Sequence, residues 1–156
     1  NTINLGGPNH EELASLIGIY EYKVNLYDHH FHNNNSNIRY KIDKINNLIS
    51  KHEELIANPV LKYINERDDL KLIGKNIISN KDRAPTISFI SKNKTSKEVS
   101  KILVSNNIAT RNDNFYAWRC LKALKIISED GVIRISMTHY NTIDETNHLL
   151  RVLEKI

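Results

Sequence analysis

The hydrophobic period of this chain changes once, near Leu70, and that change limits the folds open to it. Before it, apolar residues recur at helical spacing. Leu13, Leu16, Ile17, Tyr20 and Val24 share one face, and Ile42, Ile45, Leu48, Ile49, Leu55 and Ile56 form a second, stronger stripe. After it, short β-favouring runs alternate with shorter helical ones. Residues 70–73 end at Gly74, residues 85–90 open on Pro85 (a strand start tolerates a missing amide donor), residues 108–116 are a strand leading into a loop, and residues 132–137 follow. The order is two long helices, then roughly β-β-α-β-α-β-α. That pattern predicts an α+β fold, a two-layer sandwich whose short, mostly antiparallel sheet is covered by helices. A chain of 156 residues with 40% hydrophobic side chains has the core for one domain, residues 1–156, and not for two.

Local signals place the helix ends. Asn9 can cap the first helix, with Glu11 and Glu12 at the positive end of its dipole. The second helix runs over residues 38–56, and Asn58-Pro59 then reads as a restart, asparagine capping and proline in the first helical position. Thr95 with Glu98, and Thr142 with Glu145, are capping boxes. Asn106-Asn107 can end the helix that carries Val99, Ile102 and Leu103 inward, because asparagine tolerates the left-handed conformation. A further helix over residues 117–124 contains Cys120, expected to be buried as a small apolar residue rather than to act as a nucleophile. The last helix is expected to turn Ile143, Leu149, Leu150 and Leu153 inward. The stripes of the two long helices are expected to leave an apolar face exposed.

Composition narrows the function classes. No run approaches 18 apolar residues and no signal-peptide pattern opens the chain, so no membrane association is expected. One cysteine rules out an internal disulfide framework and suits a reducing, cytoplasmic setting. The net charge of +4 comes from lysines spread along the whole chain rather than from one stripe with interleaved aromatics, so nucleic acid is not an expected partner. His29, His30 and His32 crowd one short stretch. Their spacing does not converge as a helical His-x-x-x-His pair does and no cysteine accompanies them, which favours a solvated helix end over a metal site. The chain opens on Asn1 with no methionine, and is expected to be a piece of something longer.

One charge stands out. Arg134 lies inside the apolar run VIRIS, and a buried guanidinium needs a carboxylate or phosphate partner, which its planar fork can engage through two hydrogen bonds. Alternation alone leaves a solvent-facing Arg134 equally open, since Ile133 and Ile135 point the other way. The whole stretch 131–142, GVIRISMTHYNT, resembles the C-terminal end of class V aminotransferases and cysteine desulfurases, in which V-R-x-S and a Y-N-T loop lead into the last helix. Residues 6–11, GGPNHE, resemble the family's G-T-P-N-H-E, with Gly7 standing where the threonine is expected. Arg83 followed by P-T-I-S-F matches more loosely, and residues 112–117, NDNFYA, resemble the G-N-F-Y-A of a desulfurase-like branch. Aligned on Arg111 and Ala117, the desulfurase nucleophile's position holds Tyr116.

The resemblance covers nearly the full length, but only the C-terminal, small domain of the family. It implies a pyridoxal phosphate enzyme acting on an amino acid, with Arg134 on the substrate α-carboxylate and Asn114 and Tyr116 at the mouth of the site. It implies Gly6 and Gly7 near the cofactor phosphate of a neighbouring subunit, hence a homodimer, and an upstream large domain carrying the cofactor lysine. None of the lysines here follows the family's lysine motif, so no covalent cofactor and no turnover are expected of this chain by itself. The alternative is a stand-alone, non-catalytic binding or dimerisation domain that keeps the fold.

Overall fold

The computed structural model describes residues 7, 9–33, 36–77, 83–126 and 130–156. The chain forms two compact units, Asn1–Ile49 and Ser50–Ile156. In the first, α1 (His10–His30) begins where the Asn9 side chain accepts from the Glu12 amide at 3.2 Å. Tyr27 is its one buried residue, stacked on Phe31 at 5.0 Å and edge-on to Tyr40 at 6.3 Å, with the Lys41 ammonium 5.1 Å from its ring. Lys41 also pairs with Asp28 at 2.6 Å. Leu13, Leu16 and Ile17 are each more than half exposed, so the apolar stripe of α1 is uncovered within its unit.

Helix α2 (Ile38–Glu66) contributes to both units and departs from the expected restart at Asn58-Pro59. It is continuous, with Pro59 inside it. A mid-helix proline costs about 3 kcal/mol. Ile56, Val60, Leu61 and Ile64 are all essentially inaccessible to solvent around it, and burying each contributes roughly 1.5–3 kcal/mol, so packing holds the helix through the break. Leu55, the residue four before Pro59 whose carbonyl loses its helical partner, is itself exposed. Leu48 and Leu55 were expected in the inward stripe and lie outside it, more than a third exposed.

The second unit is a four-stranded sheet in the order β1-β2-β4-β3, from β1 (Leu70–Ile73), β2 (Thr86–Ser91), β3 (Arg111–Asp113) and β4 (Val132–Ser136). Every neighbouring pair is antiparallel. Ile87, Phe89, Ile133 and Ile135 point to one face and pack with the second half of α2, α3 (Ser96–Ser105) and α5 (Ile143–Leu153). The opposite face carries a smaller cluster, Leu121, Ile126 and Val132, under α4 (Trp118–Ala123). This is the helix-covered α+β sandwich expected. Arg67 ties its corners together. Its guanidinium forks onto Asp69 at 2.6 and 2.5 Å, reaches the Tyr63 hydroxyl at 2.8 Å, and donates to the Leu153 carbonyl at the end of α5.

Both capping boxes form, with Thr95 and Thr142 each accepting from the third helical amide. Asn107 takes the left-handed conformation after α3. One further expectation changes. Ile143 is 48% exposed, because the inward face of α5 runs through Thr146, Leu149, Val152 and Leu153 instead. The strand leading into a loop expected over residues 108–116 is there as β3, which ends at Asp113 before the backbone turns into positive φ at Phe115 and Tyr116.

Candidate functional site

Strand β4 sorts its side chains by alternation. Ile133 and Ile135 enter the main core, so Val132, Arg134 and Ser136 take the other face. On that face Arg134 stands opposite Ser88 of β2 on one side and Arg111 of β3 on the other. Ala109, Thr110, Arg111, Arg134 and Ser136 line a cavity of about 200 Å³. Thr110 is tied to α3, its hydroxyl 3.3 Å from that of Ser100. Among the described residues neither Arg111 nor Arg134 has an ion-pair partner. The cavity is therefore a small, half-open recess with two cations and two hydroxyls, suited to a carboxylate or another small anion.

One side of the Arg134 guanidinium is covered. Its central carbon lies 4.3 Å from the centroid of the Phe115 ring. That ring belongs to a strained turn, with Phe115 at φ 54° and Tyr116 at φ 60°, each costing on the order of 1–3 kcal/mol. The turn is closed by Asn114, whose side-chain oxygen accepts from the Tyr116 amide at 2.9 Å and whose carbonyl accepts from the Ala117 amide at 2.9 Å. Gly131, at φ 71°, lets the turn press close. A Cβ there would collide with the Asp113 carbonyl group and meet the Asn114 nitrogen at 2.6 Å. Asp130 anchors the same region, its carboxylate accepting from the Ser96 amide at 2.8 and 3.0 Å at the start of α3. The loop between β4 and α5 is held by Asn141. Its side chain accepts from the Thr138 amide at 2.8 Å, and its carbonyl lies 2.8 Å from the His52 ring.

The expected site residues separate. Arg134 lines the cavity; Asn114 and Tyr116 do not. Asn114 spends its side chain on its own turn, and Tyr116 is 98% exposed. Gly7 is exposed, with open space where a Cβ would go, and Gly6 lies outside the described residues. Arg111, to which the sequence reading gave no site role, lines the cavity beside Arg134. Its signal was present, since it is the residue on which the family motif aligns. Cys120 is exposed, contrary to the expected burial, because the short helix α4 has room for one inward residue and Leu121 takes it. His29 and His30 stack edge to face at 5.0 Å at the exposed end of α1. Among the described residues no group of three His, Cys, Asp or Glu side chains converges, and no helix is long and apolar enough to cross a membrane.

The Aminotransferase class-V family matches residues 35–149, well over half of the chain. The chain belongs to that family. An aminotransferase-like protein of Gibberella zeae is 26% identical over 109 residues, which is 69% of this chain and 27% of that protein. The fold recurs in a cysteine desulfurase from Thermococcus onnurineus, with a TM-score of 0.63 at 24% identity over 76% of this chain. It recurs also in a NifS-like protein from Rickettsia africae, with a TM-score of 0.59 at 17% identity over 74% of this chain. The chain spans 28% of the first of these structures and 31% of the second, so it corresponds to a minor part of these class-V relatives.

Proposed function

We propose that this chain is the substrate-side, C-terminal domain of a class V aminotransferase- or cysteine desulfurase-like enzyme acting on an amino acid. The observation that carries this reading is the cavity in which Arg134 and Arg111 face each other with no carboxylate among the described residues to neutralise them. Cations left unpaired on a sheet face otherwise well ordered are poised for an anionic ligand. Arg134 binds the substrate α-carboxylate, Arg111 adds the second positive charge, and the hydroxyls of Thr110 and Ser136 supply further polar contacts at the rim.

The family implies pyridoxal phosphate, which supplies an electron sink for bonds at the amino acid's α-carbon. The cavity residues do not fit that group. Among the described residues no lysine and no acidic side chain lines the recess, whereas the cofactor needs both. We assign the cofactor to an upstream large domain, in a homodimer and in the reducing cytoplasm that suits the single thiol. The roles left to this chain are to hold and orient the substrate carboxylate and to contribute a subunit contact near Gly6 and Gly7. By itself the chain turns over no substrate.

The stand-alone, non-catalytic reading draws on Gly7, which lacks the family's threonine hydroxyl, and on Tyr116, which stands where desulfurases carry their nucleophile. The test separates the two. With the large domain present, Arg134→Lys keeps the charge and loses the planar fork. It should weaken amino-acid binding by roughly 1.5–3 kcal/mol in an absorbance titration and leave cofactor loading unchanged. Superimposable titration curves would remove Arg134 from the site.

A further inference from the structure

We infer that Phe115 is a positioning residue for Arg134, and that the strained turn around it exists to set the guanidinium's orientation toward Arg111 and the cavity. The inference rests on the carboxylate reading above and adds to it a residue that touches no ligand. Four observations support it. The Phe115 ring lies 4.3 Å from the guanidinium carbon and covers one side of it. The same residue packs against the Leu121, Ile126 and Val132 cluster, so the ring is held from behind. Its backbone is at φ 54° and the next residue's at φ 60°, a conformation phenylalanine and tyrosine rarely adopt, maintained by Asn114 and by the absence of a side chain on Gly131. Among the described residues Arg134 has no ion-pair partner to orient it, and it is the Phe115 ring that its guanidinium rests against.

The physics is that of an oriented cation. A long arginine side chain on an open sheet face samples many rotamers, and each ligand that fixes it must offset that lost freedom. A ring face attracts the guanidinium and leaves its N–H edge free, so the fork is ordered before the carboxylate arrives. A leucine at position 115 would keep the apolar packing and lose this attraction; a tyrosine would keep both.

The experiment compares Phe115→Leu and Phe115→Tyr with the wild-type full chain by NMR, followed at the Arg134 side-chain Nε–H. In the wild type its proton resonance should be displaced upfield by the ring current and its heteronuclear NOE should be that of an ordered group. Phe115→Leu should abolish the displacement and lower the NOE, and Phe115→Tyr should retain both. Titration with L-alanine, with the large domain present, should then show affinity reduced about two- to fivefold in Phe115→Leu and restored in Phe115→Tyr. A wild-type resonance at its free-arginine position, or a Phe115→Leu variant that binds L-alanine as tightly as the wild type, would overturn the positioning role. A wild type with an ordered Arg134 that L-alanine does not perturb would instead overturn the carboxylate reading. The loss of order in Phe115→Leu would still establish what holds the side chain.

Discussion

Arg111 and Arg134 face each other across the β3–β4 ladder, two like charges in register with no carboxylate between them among the described residues. Like charges directly opposite one another destabilise a sheet by roughly 0.2–1 kcal/mol. Replacing Arg111 by glutamine should therefore raise the urea midpoint slightly while weakening binding of a carboxylate ligand. Stability and binding moving in opposite directions is the signature of a site retained at a cost to the fold. A variant that loses stability and keeps its affinity would show that Arg111 serves the sheet and not the cavity.

Among the described glycines, Gly131 is the one with least room for a side chain. Its φ of 71° and its approach to the Asp113–Asn114 backbone leave no space for a Cβ. Gly131→Ala should cost about 2–4 kcal/mol, more than a left-handed residue alone, because backbone atoms must also move. Equilibrium urea unfolding measures this directly, and a loss below about 1 kcal/mol would mean that the turn shifts freely.

The acid limb of stability should depend on the two capping boxes. The Glu98 and Glu145 carboxylates accept from the Thr95 and Thr142 amides at 2.8 and 2.7 Å, and these bonds hold both below the usual glutamate range. Asp69 is held low by the hydrogen bonds from Arg67. A folded pKa below the unfolded one means that protonation favours unfolding. The contribution is fully present above the unfolded value, about 4.3 for glutamate, and is lost as pH falls through the folded values. Urea midpoints measured between pH 2 and 7 should fall on acidification, and Glu98→Gln with Glu145→Gln should flatten that fall. An unchanged acid profile in the double variant would assign the acid sensitivity elsewhere.

Cys120 should react with a thiol reagent in the native chain, one equivalent without denaturant, because the side chain is exposed. Modification that waits for unfolding would restore the buried position expected from its helix. Modification that leaves amino-acid binding intact in the full-length enzyme would separate this thiol from the carboxylate cavity.

Much of the fold was legible because its signals are local. The Asn9 cap, the capping boxes at Thr95 and Thr142 and the left-handed Asn107 each involve residues three or four apart, and the chemistry that favours them acts within one turn. The α+β layering followed from the change of period near Leu70. Pro59 was misread because a local breaker was overridden by long-range burial of Ile56, Val60, Leu61 and Ile64. Cys120 was misread because α4 is short enough to bury Leu121 alone, and Ile143 because the first turn of α5 lies off the face that Thr146, Leu149, Val152 and Leu153 cover.

The sequence by itself determined that one arginine sits in an apolar strand, that a turn and a capped helix flank it, and which family those motifs resemble. It left open which side of the sheet that arginine takes, since alternation is symmetric until one face is covered. Tertiary structure decided it: α2, α3 and α5 occupy the face of Ile133 and Ile135, so Arg134 is turned to the other, beside Arg111 and under Phe115. That grouping joins residues separated along the chain through strand register and a strained turn, and both depend on pairing and packing energies that no local stretch of sequence contains.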